Sequence, residues 1–265
     1  MLRPNDFESA ERKPDFYGKV PSYWTDYPKE FVKNGKTGYA TYRLKVILPH
    51  GFKKPLGFDL PVFDSSYDIY INGKYCGWNG VPGKSAEETK PEYRRVFFRL
   101  EPDSDTLSII INVANYTHRR GGFWLPMQMG TFGKVQKQLA NSWAGEWSGI
   151  SLLIGFSIFF FLFFLLNPRE KVMAYFSMAT TGLALRPLFT SHFLIQNFFD
   201  IGWTWTVRFE YLGLYFVLVG WVWFATILYP NKYFKIFAQV LSIFFSLAFL
   251  LTLFLPVNVF SYSTL

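Results

Sequence analysis

The chain is poor in cysteine: Cys76 stands alone among 265 residues. A single thiol forms no internal disulfide, so it says nothing about redox compartment. The three histidines, His50, His118 and His192, are far apart in sequence. That spacing gives no metal-ligand motif, and neither metal nor cofactor is expected. The Walker phosphate loop, the His-Glu-x-x-His helix and the Gly-x-Ser-x-Gly elbow are all missing. No pair of carboxylates stands out as acid and base, so catalysis by this chain is not expected. The first 33 residues contain no apolar run followed by a small-residue cleavage site, and no signal peptide is read there.

Charge is also unevenly scarce. Before Trp147 there are 21 Lys/Arg against 16 Asp/Glu; from Trp147 onward there are 6 against 3. No basic run or nucleic-acid motif accompanies the excess, which excludes nucleic acid as the expected partner. The stretch from Trp147 to Pro168 has no charged side chain at all. A bilayer core of about 30 Å needs about 20 apolar residues at 1.5 Å each, and this run meets that need. The chain therefore divides into a polar half and a membrane half, with the lipid bilayer as the first expected partner.

In the polar half, residues 1–36 carry four prolines and several aromatics, including Tyr17, Tyr23, Trp24 and Tyr27. They read as an irregular lead-in packed on the domain that follows. From Tyr39 the period becomes two: Ala40, Tyr42, Leu44, Val46 and Leu48 form the apolar set of a half-buried strand. Phe58, Leu60 and Val62 begin a second strand, and Tyr67 to Ile71 a third. Asn72-Gly73 then marks a hairpin, because a type I′ turn needs positive φ at both central residues. A Gly-rich loop from Gly77 to Gly83 holds Trp78. Further strands follow at Val96–Leu100 and Leu107–Val113. Short strands at this spacing predict an all-β sandwich over 37–130, and residues 131–146 read as a juxtamembrane linker.

In the membrane half, spans are expected at about 147–168, 172–193, 206–229 and 236–255. The connections at 167–171 and 230–235 hold Arg169, Lys171, Lys232 and Lys235, whereas 194–205 and the tail after Pro256 hold no Lys or Arg. The positive-inside rule makes the first two connections cytoplasmic. The β domain then faces outward from an inner, multi-pass membrane location. A domain so placed must be exported, and four spans end outside; both points predict that this sequence is cut at its start and at its end.

Two sets of residues are candidates for function. Asn115, His118, Arg119, Arg120 and Trp124 surround a Gly pair, and Arg can hold a carboxylate or phosphate through paired donors. With Trp78 they make the candidate ligand site. Arg186 and Glu210 fall inside the second and third spans, where a charge normally finds a partner. They are expected to form a salt bridge that couples the outer domain to the bundle, while Arg208 snorkels to the interface.

These features occur in a recognisable order: Gly38-Tyr-Ala-Thr-Tyr-Arg43, Tyr70-Ile-Asn-Gly73, then Asn115 followed by Arg120-Gly-Gly122, directly before the spans. Val20-Pro-Ser-Tyr-Trp24 precedes them. The chain resembles the bacterial seven-transmembrane receptors with diverse intracellular signalling modules. The resemblance implies a galactose-binding-like jelly roll, similar to the sugar-binding domain of family 2 glycoside hydrolases, ahead of the first four of seven helices. It implies a small-molecule ligand, carbohydrate or carboxylate, and a cytoplasmic output domain missing from this chain. That output would be a histidine kinase, diguanylate cyclase, nucleotide cyclase or phosphatase, and a kinase or cyclase would require a homodimer. A non-signalling carbohydrate-binding anchor and an accessory subunit of polysaccharide export are the competing readings.

Overall fold

The computed structural model describes residues 13–32 and 35–260; parts of the expected lead-in, 1–12 and 33–34, and the tail 261–265 lie outside them. The chain forms two compact units, Met1–Ala140 and Asn141–Leu265.

The first unit is built from seven strands: β1 Gly38–Ile47, β2 Leu56–Leu60, β3 Ser66–Ile71, β4 Lys74–Asn79, β5 Val96–Leu100, β6 Thr106–Asn115 and β7 Gln128–Thr131. All pairings are antiparallel. They form a four-stranded sheet in the order β1-β6-β3-β4 and a three-stranded sheet in the order β5-β2-β7. Both sheets feed one core, with Phe58 and Leu60 from β2, Tyr67, Ile69 and Ile71 from β3, and Leu107, Ile109, Ile111 and Val113 from β6. Each of those aliphatic side chains contributes roughly 1.5–3 kcal/mol by leaving water. Asn72 and Gly73 close the β3–β4 hairpin with φ of 49° and 75°, as a type I′ turn requires.

Part of the lead-in lies against the strands, although Tyr17 is 94% exposed. Trp24 enters the core, and its indole N–H donates to the Tyr42 hydroxyl at 2.8 Å. The backbone of Ser22 and Trp24 donates to the carbonyls of Phe123 and Gly121. A Cβ on Gly121 would meet the Trp24 ring at 2.5 Å and the Lys36 carbonyl at 2.4 Å. The Gly pair thus exists because the lead-in lies directly against it.

Three details differ from the pattern-based reading. Leu44 is 54% exposed although it falls on the core side of the alternation; β1 is an edge strand, and a four-stranded sheet is wider than the three-stranded one it faces. Trp78 belongs to β4 and not to a loop. Helix α1 runs from Phe132 to Leu166, so the expected linker is helical. Its first turn is fixed on β2, where Phe132 N–H donates to the Pro55 carbonyl at 2.9 Å. A Cβ on Gly57 would stand 3.1 Å from Val135.

The second unit continues α1 and adds α2 Lys171–Phe189, α3 Trp203–Leu228 and α4 Lys232–Phe254, followed by a helical turn Val257–Phe260. Among the described residues three helices are long and apolar enough to cross a membrane: α1, α3 and α4. Helix α2 has 19 residues, carries Arg186 and Pro187, and ends at Phe189, before the expected 193. Helices α2 and α3 meet through small residues. A Cβ on Gly182 would lie 2.6 Å from the Gly213 carbonyl, and one on Gly220 would lie 2.6 Å from the Ala179 nitrogen. Such close backbone approach is how helices associate where lipid removes the hydrophobic drive. Polar links complete the packing: Trp223 donates to Ser242 at 2.7 Å, and Ser157 shares hydrogen bonds with Ser177 and Thr181.

Candidate functional site

The end of β6 and the loop after it hold five of the candidate residues. Asn115 is buried, and its amide donates to the carbonyls of Lys36, His118 and Arg120 while its Oδ1 accepts from His118 N–H. Its amide protons are used inside the corner, and it shapes the loop. His118 is buried against Asp64, with Nδ1 3.2 Å from Oδ2. The same nitrogen accepts from Arg120 N–H at 3.3 Å. Burial holds the imidazole below its usual 6.5, and the nearby Arg119 and Arg120 add to this, whereas Asp64 pulls the other way. Asp64 also accepts from the Tyr93 hydroxyl at 2.6 Å.

Trp124 stacks on Tyr23 with centroids 5.3 Å apart and leans on Phe63. Arg120 is exposed, and its guanidinium lies 5.8 Å from the Tyr23 ring. The buried Nε of Arg119 and Nε1 of Trp124 have no hydrogen-bond partner among the described residues. The five residues are therefore together in space. Asn115 and Trp124 act mainly as packing and staple groups, and Arg119 and Arg120 are the ones with donors to offer.

A second cluster, on the outer face of the four-stranded sheet, gathers Trp78 with residues that the sequence pattern did not single out. Strand register places Thr41, Asn112, Asp68 and Trp78 in one row across β1, β6, β3 and β4. Thr41 donates to Asn112 Oδ1 at 3.0 Å, and Asn112 Nδ2 donates to Asp68 Oδ1 at 2.8 Å. The Tyr70 hydroxyl donates to the other Asp68 oxygen at 3.3 Å. Asp68 is only 5% exposed. Burial pushes its carboxyl up to about 6, against the hydrogen bonds of Asn112 and Tyr70 that favour the anion.

The register of β3 and β4 shifts between Ile69 and Tyr70. One extra residue in β4 brings Tyr75 and Trp78, three apart, to the same face. Their rings stack at 6.0 Å, and Tyr70 lies 5.4 Å from Tyr75. Arg94 covers Trp78, with its guanidinium carbon 3.8 Å from the ring centroid. Asn79 fixes that residue from below by accepting from Arg94 N–H at 2.8 Å. Sequence periodicity could mark each of these strands, but only the register joins Asp68 to Asn112 across 44 positions.

In the helical unit the backbone of Arg186 lies at the α2–α3 contact, since a Cβ on Gly213 would lie 3.5 Å from its main-chain nitrogen. Glu210 is one turn away on α3. Arg208, expected to snorkel, has partners within the helical unit. It donates to the carbonyls of Leu253 at 2.6 Å and Leu255 at 3.2 Å, capping the C-terminus of α4, where the helix dipole favours a cation. A further polar cluster ties α1 to the α2–α3 connection: His192 Nδ1 lies 2.6 Å from Glu146 and Nε2 3.1 Å from Ser142.

Among the described residues no group of three His, Cys, Asp or Glu could hold a metal ion. No family model and no curated protein matches the chain. Two solved structures of a GH2 β-galacturonidase from Eisenbergiella tayi show a limited likeness. The one bound to galacturonate has 12% identity and a TM-score of 0.32, and the one bound to glycerol has 13% and 0.31. Each comparison covers 46% of this chain and 21% of that enzyme. A likeness of this size establishes neither fold nor activity.

Proposed function

We propose that the chain is the sensor portion of a bacterial integral-membrane receptor, of the seven-transmembrane kind with diverse intracellular signalling modules. In this reading the β unit is a jelly roll outside the cytoplasm and binds a small molecule. The helices pass the bound state inward to an output module carried beyond this chain. The observation that carries the reading is helix α1. Its first turn is pinned to β2 by the Phe132–Pro55 hydrogen bond, and the same 35-residue helix supplies an apolar span. In this reading that helix passes a strand rearrangement on to the span.

A ligand shifts such an equilibrium only by its differential affinity for two states. Hydrogen–deuterium exchange on the chain in lipid nanodiscs tests this, with neutral saccharides as the probes. A sensor changes exchange at 132–146 together with β2 when a saccharide binds. Binding that leaves 132–146 unchanged contradicts the sensor reading and favours a non-signalling anchor.

A further inference from the structure

We propose that the corner after β6 is a proton-operated switch: His118 Nδ1 binds the Arg120 N–H in one state and the Asp64 carboxylate in the other, and the exchange loosens the hold of the corner on the lead-in. Such a switch goes beyond the receptor reading and does not depend on it.

One ring nitrogen has two neighbours with opposite demands. Nδ1 lies 3.3 Å from the Arg120 nitrogen, which donates to it, and 3.2 Å from Asp64 Oδ2. A ring nitrogen without a proton accepts a hydrogen bond; with a proton it donates one. The Arg120 contact therefore requires a bare Nδ1, and the Asp64 contact requires Nδ1–H. In the neutral ring that accepts from Arg120, the proton sits on Nε2, and lone pairs of Nδ1 and Oδ2 face each other. A proton taken from water onto Nδ1 turns that opposition into a charge-assisted hydrogen bond. It also sets two N–H groups against each other at Arg120. One contact forms as the other breaks.

The surroundings decide which neighbour gives way. Asp64 is held by the Tyr93 hydroxyl, 2.6 Å from Oδ1. The backbone of His118 is held by Asn115, whose Oδ1 accepts its N–H at 3.1 Å and whose amide donates to its carbonyl at 2.8 Å. The Arg120 N–H has the ring as its acceptor. Beside it, the buried Nε of Arg119 has no hydrogen-bond partner among the described residues, a cost that the loop sheds by moving toward water. The next carbonyl, of Gly121, accepts from Trp24 N–H at 3.0 Å, and that of Phe123 accepts from Ser22 N–H at 3.0 Å. Displacement of Arg120 thus reaches the two backbone bonds that pin the lead-in.

The groups around the ring set the working range. The ring is 8% exposed, and burial is the largest influence holding it below its usual 6.5. Arg119 and Arg120, on its own loop, oppose a further positive charge, and Asp64, from the β2–β3 connection, favours one. The corner is therefore closed at pH 7 and opens on acidification. A proton needs no cavity to reach its site.

The test uses the full chain in lipid bilayers with 15N-labelled histidine rings, read by solid-state NMR between pH 8 and pH 5. His50→Gln and His192→Gln remove the other two ring signals in turn and so identify those of His118. At pH 8 His118 is the Nε2–H tautomer; on acidification Nδ1 gains a proton while the strand signal in circular dichroism holds. Hydrogen–deuterium exchange at 119–122, corrected for its intrinsic pH dependence, rises about fivefold across the same midpoint, as expected for one lost hydrogen bond. Asp64→Asn moves the midpoint to lower pH. An Nδ1–H ring at pH 8, exchange at 119–122 that ignores the titration, or a β unit that unfolds before His118 titrates overturns the proposal. An unchanged midpoint in Asp64→Asn does the same. The first three are wild-type measurements and decide the matter even where Asp64→Asn fails to fold. None of these outcomes bears on saccharide-dependent exchange at 132–146, which tests the receptor reading on its own.

Discussion

Replacing Asp68 by Asn makes the β unit more stable at pH 7.5 and leaves it nearly unchanged at pH 4. The folded carboxyl titrates near 6, raised by burial from an ordinary 3.8. Between those values the folded state holds a proton that the unfolded state has released, so stability falls as pH rises from about 4 to about 6. The shift of about two units corresponds to roughly 3 kcal/mol withheld from stability above pH 6. Asn carries no charge and removes that penalty. It keeps an oxygen to accept from Asn112 but sets an amide N–H group against the Tyr70 hydroxyl, which offsets about 1 kcal/mol. The net gain at pH 7.5 is therefore about 2 kcal/mol.

His118 slopes the other way. Its pKa is lowered by burial, so its contribution is present at neutral pH and is lost as pH falls below about 6.5. Subtracting the wild-type curve from that of D68N cancels this term. The assay is urea unfolding of the chain in nanodiscs, followed by the strand signal in circular dichroism between pH 4 and 8. A difference curve that is flat, or D68N less stable at pH 7.5, would show that Asp68 is not held as an uncompensated buried carboxylate.

Three further tests probe the helical unit. Gly182→Val forces a side chain into the α2–α3 contact, where a Cβ already comes within 2.6 Å of a carbonyl; it costs about 1–3 kcal/mol in SDS-induced unfolding, whereas Gly155→Ala, with open space around it, costs nothing. Arg208→Met uncaps the Leu253 and Leu255 carbonyls and lowers the same midpoint by the equivalent of about 1–3 kcal/mol; an unchanged midpoint would return Arg208 to a surface role. A double-mutant cycle of Glu146→Gln and His192→Gln gives a coupling of about 1–3 kcal/mol, because the two side chains meet at 2.6 Å and are largely buried. Additive effects would mean that the pair does not join α1 to the α2–α3 connection.

Much of the β unit was legible because period-two patterns survive burial. The alternation in β6 and the Asn72-Gly73 hairpin both describe the structure. Strand β7 was not legible: Gln128–Thr131 has no apolar alternation, and it is a strand because β2 offers an edge to pair with. Leu44 and Trp78 show the limit of local pattern, since cover and strand membership depend on the partner sheet. In the candidate site, Trp78 and the loop residues stood out by type. Asp68 and Asn112 did not, because a polar residue on a strand reads as solvated until the register buries it. In the helices the presence of charge was legible but its direction was not. On α3, Arg208 turns to the end of α4.

Reporter fusions measure the sidedness on which the sensor reading depends. A fluorescent protein folds only in the cytosol and alkaline phosphatase is active only outside it, so each is joined after Lys171 and after Asp200. The account predicts fluorescence from the Lys171 fusion and phosphatase activity from the Asp200 fusion. Phosphatase activity after Lys171 with fluorescence after Asp200 would place the β unit inside the cell and contradict the account.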